Sequence, residues 1–273
     1  MTIPTHVRAL ARRTLTAVAA TGLAAAWPAF GVDGVKLIDQ AAATNGNVTP
    51  GDSRGFPVTI SQSGSYRLSS NLTVPDAYTN AIEIRANHVT LDLNGFTISG
   101  PVRHTKGQPG GDWFPMDATG KAVDLSGSRH VSIVNGDLRG MAYGIYGPRS
   151  GAGDSPYSHV ERVRVSWMRH VGVVVGHSSQ ARDNFVSTTG SGGIEAAGQI
   201  VGNVLDDVRP AIRLTEGASR IASNTITFSS LGIDAGTYAR AWITDNMFNS
   251  VTTPTRGAVY KLGPNACSTV LCP

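Results

Sequence analysis

The stretch "ASRIASNTITFSSLGIDAG", residues 218–236, decides how this chain folds. Its apolar residues Ile221, Ile226, Leu231 and Ile233 follow neither the helical period nor a sustained alternation. The neighbouring segments explain it. Upstream stand "SQARDNFVSTTGSGGIEAAG" (179–198) and "AGQIVGNVLDDVRPAIRL" (197–214), and downstream "RAWITDNMFNSVTTPTRGAVYKLG" (240–263). Each carries an apolar residue or alanine, an asparagine three positions on, an apolar residue two later, and then a Gly/Ala-apolar-x-apolar snippet. Asn184, Asn203, Asn224 and Asn246 recur at intervals of 19, 21 and 22, and the closing snippets begin at Gly193, Ala211, Gly232 and Gly257. Internal repetition of this length is the signature of a solenoid.

Three short strands per repeat, each turning one or two side chains inward, bury their apolar residues only when stacked on identical coils. This predicts an all-β protein, a right-handed parallel β-helix solenoid of about eight coils. A leucine-rich repeat would need a regular run of leucines that the chain lacks. The asparagines suit tight corners, because asparagine tolerates left-handed geometry, and stacked asparagines can bond one another from coil to coil. Val89, Leu125, Val131, Ile194, Ile212, Leu214, Ile221, Ile226 and Ile233 are the expected core.

Four segments follow from this period. "HVRALARR" leading into "TLTAVAATGLAAAWPAF" reads as a signal peptide, residues 1–31, too short and interrupted to span a membrane. A secreted or periplasmic protein without a transmembrane anchor is expected, and the Arg12-Arg13 pair leaves the export route open. Residues 32–80 do not repeat and read as an N-terminal cap that covers the open end of the coil. The coil itself is expected over residues 81–262, with insertions at 101–120 and 147–157, and a tail over 263–273. Removing Arg8, Arg12 and Arg13 with the signal peptide lowers the net charge from +4 to 4 − 3 = +1, so a nucleic-acid partner loses its main support. Cys267 and Cys272 stand in the tail of an exported chain with no other cysteine, which favours a disulfide over half a zinc site.

The block "TPGDSRGFPVTISQSGSYRLSSNLTVPD" (49–76), then "NAIEI", "VTLDLNGFTISG" and "VSIVNGDLRG", followed by degenerate repeats and a cysteine-pair tail, resembles the exported bacterial parallel β-helix repeat proteins of the pectin-lyase-like superfamily. The resemblance covers residues 36–273. It implies the fold, and it implies a substrate-facing sheet built from the snippet after each long turn. It does not choose among polysaccharide lyases, hydrolases and non-catalytic surface proteins.

Alternation along that sheet predicts an outward row of Glu83, Asp124, Tyr146, Val174, Glu195, Arg213, Asp234 and Val259. Glu195, Arg213 and Asp234 then form acid, base and acid on successive coils. With coils about 4.8 Å apart, the two carboxylates stand roughly 9–10 Å apart at the backbone, near the upper limit for an inverting hydrolase pair. In a lyase, Arg213 would instead bind a uronate or take its proton. Ordinary cross-strand charge pairing accounts for the same three residues. The catalytic motifs of the named families match only in fragments. "GHS" (176–178) precedes "DD" (206–207), the reverse of the polygalacturonase-like order, and in "VRPAIR" Arg209 sits one place late for the pectate-lyase-like pattern.

The candidate site is therefore Glu195, Arg213 and Asp234 as catalytic groups, bordered by His177 and Arg209. Asp206 and Asp207 are candidate ligands for calcium, or simply solvated turn residues. Trp113 and Phe114, on the insertion at 101–120, either stack on sugar rings or plug the side of the coil. The expected partner is a polysaccharide, with uronic-acid chains included. A non-catalytic surface or scaffold protein is the alternative.

Overall fold

A computed structural model describes residues 34–104, 113–148, 155–214 and 216–268. The expected signal peptide and Cys272 lie outside the described residues. The protein is a parallel β-solenoid. Each coil adds one short strand to a nine-stranded sheet, then two strands, or one long bent strand, to a seventeen-stranded sheet that wraps the remaining sides. Every pairing between described strands is parallel except that of Arg103–His104 with Trp113–Phe114 in the insertion.

The nine-stranded sheet runs through Val58–Ile60, Ile82–Ile84, Lys121–Asp124, Tyr143–Tyr146, Val171–Val174, Gly192–Ala196, Ile212–Leu214, Leu231–Asp234 and Thr253–Arg256. That makes nine rungs, one more than the repeats alone predict. The extra rung, Val58–Ile60, pairs with Ile82–Ile84 and comes from the region expected to be a cap. Before this rung a short helix, Gln40–Asn45, follows Val35–Ile38 at the place where the next coil has its second strand, Leu72–Thr73. Asp39 caps the helix by accepting the Ala42 backbone N–H at 2.7 Å, and Ala43 enters the core.

The core is a single stack of inward aliphatic residues. All nine expected core residues are buried in it. In the fourth to eighth rungs the inward residues include Ile145, Val173, Ile194, Ile212 and Ile233, which lie directly above one another in register.

The asparagines form one corner, but not by taking the left-handed turn themselves. That conformation falls to the residue before each of them: Asp183 (φ 53°), Gly202 (φ 71°), Ser223 (φ 56°) and Asp245 (φ 55°). The asparagine side chain turns inward instead. Asn184 Nδ2 donates to Asn203 Oδ1 at 2.9 Å, Asn203 to Asn224 at 2.9 Å, Asn224 to Asn246 at 2.9 Å, and Asn246 to Asn265 at 3.0 Å. Each Oδ1 also accepts a backbone N–H of the preceding coil, such as that of Asn203 on Asn224 at 2.9 Å. The corner's buried polar groups are thereby satisfied by its own repetition.

Candidate functional site

Strand register defines the outward row of the nine-stranded sheet as Thr59, Glu83, Asp124, Tyr146, Val174, Glu195, Arg213, Asp234 and Arg256. The expected last member, Val259, belongs elsewhere. Gly257 does not open the ninth rung; it precedes Ala258–Lys261, which pairs with Ala239–Thr244 in the other sheet. Arg256 takes the place opposite Asp234. Three of the four acids of this row face outward yet are covered, with Asp124 3 %, Glu195 0 % and Asp234 5 % exposed. Longer cationic side chains lie across them.

The three residues expected as catalytic groups do come together. Arg213 Nη1 stands 2.8 Å from Glu195 Oε1, and its Nε stands 3.8 Å from Asp234 Oδ2. Arg256 completes the cluster by binding Asp234 through two contacts, Nη2 to Oδ2 at 2.6 Å and Nε to Oδ1 at 3.2 Å. The Arg256 hydrogen bond holds the Asp234 carboxyl below its ordinary range; burial opposes this, and the Gly236 backbone N–H and both arginine charges reinforce it. Asp234 is therefore ionised at neutral pH and has no proton to give.

A second ionic cluster lies three rungs away, and the sequence reading missed it as a unit. Arg85 Nη2 reaches Glu83 Oε2 at 2.7 Å and Asp124 Oδ2 at 3.3 Å, while Lys121 Nζ reaches Asp124 Oδ2 at 3.2 Å. Asn80 donates to Glu83 at 2.8 Å. A signal was present: Arg85 stands two residues after Glu83, so the strand period puts both on one face. Burial alone would raise the Asp124 carboxyl, but the Ser126 hydroxyl and N–H and the Lys121 ammonium outweigh it and hold it low.

Between the clusters the row carries Tyr146 and Val174 and no charge. The gap from Asp124 to Glu195 is three rungs, about 14 Å. A cleft of about 420 Å³ opens here, lined among others by Tyr143, Tyr146, His170 and Val171 on one side and Glu195 and Arg213 on the other. The Tyr143 ring lies 4.9 Å from that of Tyr146 and 4.8 Å from that of His170, centroid to centroid. Lys121 Nζ sits 4.6 Å over the Tyr146 ring, linking the cleft to the second cluster. Burial pushes the His170 imidazole below its ordinary pKa, the Arg169 charge adds to this, and a hydrogen bond with the Ala118 backbone opposes it. His170 is neutral at neutral pH. Through Ala118, and through a bond from Arg169 to the Met116 carbonyl, the returning limb of the first insertion borders the cleft. Neither Tyr143 nor His170 was singled out from sequence.

The remaining expected residues are dispersed. Arg209 precedes the seventh rung and pairs with Asp207 at 3.6 Å, on the edge of the sheet that His170 also occupies. His177 follows the fifth rung, so it stands at the opposite edge, where it meets Tyr157 edge-on at 5.8 Å and lines a separate hollow with Ser178 and Glu216. Asp206 lies in the seventeen-stranded sheet in register with Ser187 and Thr227, and Asp207 takes the left-handed corner after it (φ 54°). They are not gathered with Glu195 and Asp234: among the described residues no group of three or more His, Cys, Asp or Glu is placed to hold a metal ion. Trp113 and Phe114 pair by their backbones with His104 and Arg103; whether their rings bind or plug lies outside the described residues. Cys267 ends the last strand, Ala266–Cys267, and its expected partner Cys272 lies beyond it. No helix among the described residues is long and apolar enough to cross a membrane.

Comparison of the chain with protein-family profiles, curated proteins and solved structures finds no match.

Proposed function

We propose that this protein is an exported glycan-binding solenoid of the pectin-lyase-like type, which holds a polysaccharide along its nine-stranded sheet without cleaving it. One observation carries the reading. The cleft sets the rings of Tyr143 and Tyr146 beside a polar wall made by His170 and the Glu195–Arg213 pair. Aromatic faces with a few convergent polar groups suit sugar rings, which have an apolar face and a hydroxyl edge. The open sheet continues past both ends of the cleft, so a chain can extend along the coil axis.

Catalysis by Glu195 and Asp234 has less support. Division of acid and base roles requires one protonated carboxyl. Asp234 is ionised and Glu195 is bonded to a guanidinium, so the two acids serve better as anchors for the arginines than as proton carriers.

A glycan array on the chain lacking residues 1–31 tests the reading, with Tyr146→Ala beside it. The wild type should bind at least one glycan, and the variant should bind it about tenfold or more weakly, with unchanged melting. A wild type that binds nothing, or a variant with full affinity, removes the support for this site.

A further inference from the structure

We propose a second ligand site, independent of the cleft, that takes a sugar ring bearing a sulfate or phosphate ester. It lies where Thr97–Ser99 leaves the seventeen-stranded sheet for the first insertion. A hollow of about 250 Å³ opens there, lined by Ser99, Val102, Arg103, Arg139 and Trp167 around the backbone of Gly100 and Gly140, and it shares no residue with the cleft. Stacking assembles it. Arg139 is in register with Ser99 on the coil before it and with Ser166 on the coil after it, so Gly100, Gly140 and Trp167 follow one another at one corner. Gly140 and Trp167 both take left-handed backbone there (φ 66° and 56°). A Cβ at Gly140 would stand 2.5 Å from the Gly100 carbonyl oxygen, so these two coils close up only without side chains. The space so left is bordered by the half-exposed Trp167 indole and by two exposed arginines.

The state of those two cations sets the hollow apart. Arg213 and Arg256 on the nine-stranded sheet are held by carboxylates, whereas among the described residues neither Arg103 nor Arg139 is. Asp137, two residues before Arg139 and on the same strand face, is taken by Arg164 at 3.1 Å. The corner's backbone donors are spent too: Gly100 N–H on the Arg139 carbonyl at 3.0 Å, Val102 on Gly140 at 2.9 Å, and Gly140 on Ser166 at 3.2 Å. The charged donors on offer are therefore the two guanidinium groups, and like charges in one hollow repel until an anion enters. A carboxylate brings one charge and two oxygens, enough for one guanidinium fork. A sulfate or phosphate ester brings three terminal oxygens and can engage both forks at once, and a phosphate monoester, at roughly −1.5 to −2, also matches their combined charge. The indole supplies a flat apolar face for the ring that carries the ester. The hollow is smaller than the roughly 300–1,000 Å³ of sites for drug-sized ligands, so it takes one ring and not a chain.

The test titrates the purified protein with the 6-phosphates and 6-sulfates of glucose and galactose, beside the parent sugars, glucuronate, galacturonate, and inorganic phosphate and sulfate. Calorimetry and tryptophan fluorescence are read at low and high salt. At least one ester should bind about tenfold or more tightly than its parent sugar, the matching uronate and either free ion, and its affinity should fall as salt rises. The better of the two esters tells phosphate from sulfate. Arg103→Gln and Arg139→Gln should each weaken that ester about tenfold with unchanged melting, and Trp167→Phe should remove the fluorescence change while keeping a ring in place. Binding of no ester, a uronate or free ion that binds as well, or an ester that holds its affinity in both arginine variants overturns the inference. Ester binding lost in Tyr146→Ala and kept in the arginine variants would move the ester to the cleft, which also overturns it. None of these outcomes bears on the glycan array, so the two sites stand or fall separately.

Discussion

Two polar ladders run along this solenoid, and they differ in what they can become. At the corner, Asn184, Asn203, Asn224, Asn246 and Asn265 repeat one residue type. An amide both donates and accepts, so each member satisfies the next and the row can continue indefinitely. On the nine-stranded sheet, carboxylates only accept and guanidinium groups only donate. Such a row needs a cation beside its acids, in the row or flanking it, and here it breaks into two clusters with Tyr146 and Val174 between them. The corner ladder is closed upon itself and carries shape. The charged row is closed only within each cluster, and its interruption is where the cleft lies.

The sharpest way to break this comparison is to open the closed ladder. Asn224 is buried; it accepts from the Asn203 amide and backbone, and it donates to Asn246 and to the Ile200 carbonyl at 2.9 Å. Asn224→Ala strands donors on Asn203 that have no water to turn to. The expected cost is about 2 kcal/mol or more in urea denaturation. Asn265, at the half-buried end of the row, should cost clearly less as Asn265→Ala. Equal effects would mean that the interior of the ladder is no more demanding than its end.

The charged row should reveal itself through pH. Asp234 has a folded pKa below its ordinary value, so its contribution to stability is complete above the unfolded value of about 4 and is lost as pH falls through the folded one. Wild type should therefore exceed Asp234→Asn in melting temperature most at neutral pH, and the two curves should converge in acid. Asn224→Ala should instead lie below wild type by a similar margin at every pH. A constant gap for Asp234→Asn would show that the ion pairs contribute nothing that titrates.

The same contrast explains what was legible in the sequence. A neutral ladder needs the same residue on every coil, so the intervals between Asn184, Asn203, Asn224 and Asn246 declared the fold. The ninth rung, "TPTR" at 253–256, was misplaced for a physical reason. Its strand is exposed or half-buried throughout, so it was free to carry threonines and a proline where earlier rungs carry aliphatic residues. "GAVY", four residues later, has the expected pattern but serves the other sheet. The triad Glu195, Arg213 and Asp234 was legible because register follows from the repeat. The cleft was not: Tyr143 and His170 come from different coils separated by an insertion, and only stacking brings their rings to 4.8 Å. The left-handed corner residues were also hidden, because aspartate, glycine and serine all occupy that position.

The smallest effect belongs to Arg256, and it separates anchoring from mere pairing. Its side chain is 64 % exposed and lies on the last rung, whereas Arg213 is held between two covered acids. An exposed guanidinium is solvated in the unfolded and folded chain alike, so much of its attraction to Asp234 is offset by water and weakened by salt. Arg256→Ala should lower the melting temperature slightly at low salt and almost not at all at high salt, because Arg213 still faces Asp234. Glycan affinity in the cleft should not change, since Arg256 does not line it. If Arg256→Ala instead melts as low as Asn224→Ala, the last pair is a structural clamp comparable to the asparagine corner, and the division between a closed ladder and an interrupted one no longer holds.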